Sequence, residues 1–251
     1  MAITTKILLA AIVLLMIDGF IETAFIGNMV SWLHRRAGGD FIINFNSERG
    51  PEFPLHGKPL NELADQGHAS NGAAGTAYVA VGFGGFLALY LRHRQLKKSH
   101  ELCGFTKGLY NFWCGLTVVA AIYDIAALIY TFVLTYRHMH QEIDVAFAAT
   151  LDNHPYPDYV AYPRQQWTPE NWFTAVLDLP LKYGHDRSDI RMQLLLMKAW
   201  RWNLIPLSIL GILVAVLAIF DRMALRRRVS SGVHLQRLDK GSRQEAGTPE
   251  Y

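Results

Sequence analysis

The chain has 251 residues and a formal net charge of +3, and 51% of it is hydrophobic. The hydrophobic residues gather in long runs rather than at amphipathic spacing, which sets aside an ordinary soluble domain and points to the membrane class. Lysine and arginine crowd into short segments beside those runs, so the charge speaks to orientation, and no nucleic-acid partner is expected.

Taken in order, the first expected span covers residues 7–30. Residues 7–17 alone would fit the core of a secretory signal peptide, but Glu22 occupies a position that cleavage after Ala24 would want small. Residues 20–30 also stay mostly apolar, so an uncleaved span is expected. Residues 31–70 form a first outer loop, with His34, Arg35 and Arg36 at its start. An alternating run at 41–45 could be a strand, and prolines 51, 54 and 59 follow; the loop reads as too irregular for a domain.

The second span is expected over 72–91. Gly72, Thr76, Ala80, Gly84 and Ala88 recur at every fourth position, a ridge of small residues on which another backbone can lie closely. Arg92, Arg94, Lys97, Lys98 and Lys107 then mark a cytosolic linker. Cys103 and Cys114 fall on that side, so neither is placed for an extracellular disulfide. The third span, 109–135, carries Asp124 beside Ala120, Ala121 and Ala127.

Residues 137–199 form the second outer loop, whose start reads as a solvated extension of the third helix. His138 and Glu142, and His140 and Asp144, each stand four apart, but the two pairs point to opposite sides of a helix, so no metal site is expected. An aromatic, proline-rich stretch including Tyr156, Tyr159, Tyr162 and Pro163 follows. Thr168 then offers an N-cap, Pro169 suits the first helical position, and Trp172, Phe173, Val176 and Leu177 make one apolar face before Pro180. That pattern predicts a short amphipathic outer helix.

The last span is expected over 202–220, with a kink at Pro206 and with Lys198, Trp200, Arg201 and Trp202 at its outer edge. Arg222 and the run 226–228 close the membrane domain, 1–222. The tail, 223–251, reads as a disordered cytosolic segment in which Ser230, after a basic stretch, is a phosphorylation candidate. The expected fold is an all-α membrane protein, a four-helix transmembrane bundle with two long outer loops. Lysine and arginine are roughly twice as dense on the inner segments, which places both termini in the cytosol and the chain in the plasma membrane or a secretory-pathway membrane.

Asp18, Glu22 and Asp124 are the candidate chemical residues. Asp18 and Glu22 stand one helical turn apart, and an acid at the centre of a span costs about 2.5 to 3.5 kcal/mol. Two readings follow. Lys198 and Arg201 are the nearest cations by depth, and Arg201 reaching down to Glu22 would make a polar clamp. Alternatively the acids serve a membrane-embedded enzyme acting on a lipophilic substrate, or a proton-coupled carrier. No Walker loop, His-Glu-x-x-His, CxxC or nucleophile elbow occurs, and no cofactor is expected.

The plan of four spans, cytosolic ends and two sizeable outer loops resembles that of claudin-like and fungal eisosome-associated proteins in architecture alone. The Gly-Leu-Trp and two-cysteine motif of that group is absent from the first loop. Small multidrug exporters also carry a glutamate in the first of four spans, but their loops are very short. The favoured expectation is a non-catalytic structural or interaction protein acting through its outer loops. Its partners would be the lipid bilayer and a second copy or another membrane protein.

Overall fold

Four helices in the computed structural model are long and apolar enough to cross a membrane: Ile3–Arg35, Asp65–Lys98, Gly104–Arg137 and Gly184–Arg227. The structure describes residues 3–47, 50–99, 102–157 and 166–245, so the expectations on Tyr159, Tyr162 and Pro163 lie outside the described residues. A helix of 34 residues is about 50 Å long against a hydrocarbon core of about 30 Å. Each span therefore runs past its expected ends.

Helix α1, Ile3–Arg35, buries Thr5, Leu8, Ile12, Leu15, Gly19, Glu22, Ile26 and Met29, spaced alternately by three and four residues. In α4, Gly104–Arg137, Tyr110, Trp113, Thr117, Ala120, Asp124, Ala127 and Thr131 repeat that spacing. This is the seam of a left-handed bundle, in which every such position faces a neighbouring helix. Glu22 and Asp124 stand on seam positions, so they face inward. The lipid-side faces carry exposed Val13, Leu14, Ile17, Phe112, Val119 and Ile122.

The second span is assembled from α2 (Asp65–Gly75), a π-helical segment (Thr76–Phe83) and α3 (Gly84–Ser99). The wider π turn changes the phase of the helix, so a stripe at every fourth residue does not stay on one face. Of the small-residue ridge, Ala88 is buried, whereas Gly72, Thr76, Ala80 and Gly84 are only half-buried. One ridge position is tight, since a Cβ on Gly72 would run into the Tyr123 hydroxyl, and two further tight approaches fall off the ridge. Gly82 lies under the Met16 side chain, and a Cβ on Gly85 would come within 2.7 Å of the Trp113 ring.

Helix α7, Gly184–Glu245, is continuous through Pro206 and packs along both α1 and α4. It begins well ahead of the expected span at 202 and continues past 223, where the sequence reading has a disordered tail. No proline falls between 223 and Pro249, and the Ala, Leu and Arg residues that leave the span favour helix. Ser230 lies on this helix, its side chain outside the described ones.

The two long loops pack together at one end of the bundle, where the otherwise helical chain carries a two-stranded sheet that includes the strand expected at 41–45. Strands β1 (Asp40–Ser47) and β2 (Gly50–His56) form an antiparallel hairpin. The other edge of β1 meets the second loop, where Asn44 donates its N–H to the Pro180 carbonyl at 2.9 Å and Lys182 donates to Ile42 at 2.9 Å. Helix α4 ends at Arg137 rather than extending into the loop, and the His138 ring bonds back to the Leu134 carbonyl at 2.7 Å. A short helix α5, Val145–Ala148, follows, capped by Asp144.

Helix α6, Pro169–Asp178, starts as its sequence suggests, with the Asn171 N–H donating to Thr168 Oγ1 at 3.3 Å. Its apolar face is buried at the centre of this cap: Trp172, Phe173 and Val176 are fully enclosed with Phe41, Ile43, Leu55, Tyr156 and Trp167. The Trp172 indole donates to the Gly57 carbonyl at 2.9 Å. Gly57 is required there, because a Cβ would run into the Ala37 and Gly39 carbonyls.

Candidate functional site

Buried polar groups occur at three levels of the bundle. At the end away from the loops, Asp221 of α7 is 2% exposed and joins all four spans. It accepts hydrogen bonds from Thr5 of α1 at 2.6 Å, from the Tyr110 hydroxyl of α4 and from the Arg92 guanidinium of α3. Arg92 also bonds Thr5 at 3.1 Å and lies over the Tyr110 ring at 4.6 Å. A fully bonded buried ion pair of this kind fixes register at modest net stability. In the sequence Arg92 reads as an orientation signal and Asp221 does not stand out. The missed signal was phase, since Asp221 continues the buried positions Leu204, Gly211, Val214 and Ala218 of its own helix.

At mid-depth stand the predicted acids, which the structure places at separate contacts. Glu22 is fully buried, and its Oε2 accepts from Asn203 Nδ2 of α7 at 3.0 Å. Asp124 is 1% exposed and points at α7 where Gly211 leaves room, since a Cβ there would lie 2.5 Å from Asp124 Oδ2. Asn203 and Gly211 are eight residues apart, about 12 Å along the helix. Asp18 is half-buried one turn from Glu22. The three acids therefore do not meet at one point.

Arg201, the expected partner of Glu22, is paired elsewhere. Its Nη2 lies 3.1 Å from Glu170 Oε1, at the start of α6, with both side chains buried. The guanidinium also lies 5.3 Å from the ring centres of both Phe132 and Tyr136. Depth alone suggested Glu22; the folding of α6 over the bundle brings Glu170 closer. Burial pushes the Glu170 carboxyl upward, with Arg201 and then Lys198 opposing the shift. Lys198 itself is exposed. The clamp is thus a contact between cap and bundle rather than between two spans.

The same junction carries further ties. Arg36 pairs with buried Asp186, and the Trp32 indole donates to Asp189 at 2.8 Å. Arg187 donates to the Leu177 and Leu179 carbonyls at 2.8 and 2.7 Å, closing the end of α6. Asn171 reaches the Thr135 carbonyl of α4 at 3.0 Å. Among the described residues no group of three or more His, Cys, Asp or Glu side chains is arranged to hold a metal ion.

These features define a four-helix architecture fit to cross a membrane, with a mixed α/β cap folded from its two long loops. Set against known proteins, the chain matches no protein-family model, no curated protein and no solved structure.

Proposed function

We propose that this is a multi-pass membrane protein with a non-catalytic structural or interaction role, in which the bundle serves as a platform and the cap makes the contacts. The observation that supports it is the cap core: residues from both loops, including Phe41, Ile43, Tyr156, Trp172 and Phe173, enclose one another and rest on Trp32 and Trp200 of the spans. Such investment in a rigid, pinned surface suits recognition. The acids, by contrast, lie on separate helix contacts, with no nucleophile and base aligned for chemistry among the described residues.

In this reading the cap faces the outside, both termini are cytosolic, and the membrane is the plasma membrane or one of the secretory pathway. The partner is a second copy or another membrane protein, reached through apolar residues left exposed on the cap side, such as Leu60 and Tyr183. The test is crosslinking in intact membranes with a mass-spectrometric readout. Crosslinks from the cap should be lost in Leu60→Asp or Tyr183→Asp and kept in Asp18→Asn, Glu22→Gln and Asp124→Asn. The opposite pattern in the cellular phenotype, with the cap variants active and the acid variants dead, would favour the enzyme or carrier reading instead.

A further inference from the structure

Of the three mid-depth acids, Glu22 and Asp124 are enclosed between helices, whereas Asp18 comes to the outer surface of the bundle. The burial pattern of α1 fixes where it stands. Leu15, Gly19, Glu22 and Ile26 cover the enclosed side of the helix; its far edge, at Gly19, meets Ala74 and Tyr78 of the second span. Asp18 stands at the near edge, one turn from Glu22, which is bonded to α7. On the other flank of Asp18, Leu14 and Ile21 are 54% and 40% exposed. Asp18 therefore lies where α1 turns from α7 toward lipid.

The facing wall belongs to α7. The Thr5–Asp221 and Glu22–Asn203 bonds fix the antiparallel register of the two helices and set Asp18 level with residues 207–208. Asn203 marks the side of α7 that meets α1, and Gly211 the side that meets Asp124 of α4. Pro206, Leu210 and Leu213 fall on the flank of Asn203 away from Gly211, and Pro206 and Leu213 are exposed. The two helices thus bound a lipid-side seam with an acid at its middle.

That seam offers acceptors without donors. Asp18 makes no hydrogen bond or ion pair among the described residues. Pro206 has no N–H, so the Trp202 carbonyl on the same flank lacks its helical donor. Among the described residues no cation of this chain comes near. Arg92 pairs with Asp221, and Arg201 is held by Glu170 over Phe132 and Tyr136 of α4. Exposed Lys198 and Lys6 stand about ten and twelve residues away along α7 and α1, about 15 and 18 Å. An acid at this depth costs about 2.5 to 3.5 kcal/mol, and acids placed so pair with a cation. A second copy would bring another acid to the seam and no cation, so charge complementarity selects a different chain.

We propose that the seam between α1 and α7 docks a transmembrane helix of another protein, one that carries a lysine or arginine at mid-depth paired to Asp18. This rests on the multi-pass reading above and not on the role of the cap, whose contacts lie elsewhere.

Titration of the full-length protein in liposomes with synthetic leucine–alanine transmembrane peptides tests it. One peptide carries lysine at its centre and the other leucine. Energy transfer runs to the peptide from a dye on Asn153→Cys, in a chain with Cys103→Ser and Cys114→Ala. The lysine peptide should associate about tenfold more tightly than the leucine peptide, the scale of one polar contact between spans. Asp18→Asn should remove that preference, whereas Glu22→Gln and Asp124→Asn should keep it. Leu213→Trp, which fills the seam, should weaken binding of the lysine peptide, and Ile122→Trp on the lipid face of α4 should not. Equal binding of the two peptides, or a preference that survives Asp18→Asn, would overturn the pairing. Binding indifferent to Leu213→Trp would overturn the seam as the surface. Self-association that requires Asp18 and excludes the lysine peptide would make the occupant a second copy, against the proposal. Release of the protein itself by alkaline carbonate would overturn the membrane reading and the docking with it.

Discussion

The buried pair Arg201–Glu170 makes the sharpest energetic prediction, because it separates the observed clamp from the one that depth suggested. At 3.1 Å and an effective dielectric constant of about 20, the Coulomb attraction is about 5 kcal/mol, most of it offset by desolvation of two side chains that are 7% and 8% exposed. Removing one partner strands the other charge in a buried site, which costs about 3 to 5 kcal/mol. Arg201→Gln and Glu170→Gln should each lower stability by about that amount, and the double variant should regain about 2 kcal/mol of the summed loss. Glu22→Gln combined with Arg201→Gln should instead add within about 0.5 kcal/mol, since Glu22 is bonded to Asn203. Equilibrium unfolding in mixed micelles measures both cycles. Coupling of Arg201 to Glu22 larger than its coupling to Glu170 would refute the reasoning.

In the second span, Gly85→Leu should lower folded yield by driving into the Trp113 ring, while Gly84→Ala, whose Cβ would meet that ring at an ordinary 3.5 Å, should be nearly neutral; size-exclusion recovery checks both. Burial raises Glu62 from 4.5 to about 7 despite the opposing charge of Lys58, so the folded state holds a proton there that the unfolded chain has released. Its contribution is therefore fully present below about pH 4.5 and lost as pH rises through 7, and Glu62→Gln should flatten the fall in thermal stability between those values. The exposed Cys103 thiol is lowered to about 7, chiefly by hydrogen bonding to Thr106, so its alkylation rate should reach half-maximum near pH 7. Thr106→Val should move that midpoint upward, and an unchanged midpoint would count against this cause.

The spans were legible because continuous apolar runs need no tertiary information. Their ends were not, since 65–71 and 184–198 continue as helix on polar and amphipathic residues that a hydropathy reading ends early. Helix α6 was legible from Thr168 and Pro169, a local signal, but its burial inside a cap depended on contacts with β1 and β2 far away in the chain. The partner of Arg201 failed for the same reason: depth in the membrane ranks candidates along one axis and is blind to an element folding over the top. The every-fourth stripe from Gly72 to Ala88 assumed an unbroken α-helix, and the π turn at Thr76–Phe83 removed that assumption. Asp221 and Arg92 stand among charges that read as orientation signals, although their helical phase points inward.

The two long loops meet on one side of the bundle and fold as a single cap. Asp40 at the start of the hairpin and Asn153 of the second loop touch at its surface, with Asn153 Nδ2 donating to Asp40 Oδ2 at 2.9 Å. Asp40→Cys with Asn153→Cys, in a chain with Cys103→Ser and Cys114→Ala, places two thiols across that contact. Treated with copper phenanthroline in native membranes and read by cleavage between the loops on a gel, the paired variant should form an intramolecular disulfide that holds the fragments together. Fragments that separate without reductant, while each single cysteine is freely labelled, would mean that the loops do not meet and would contradict the cap.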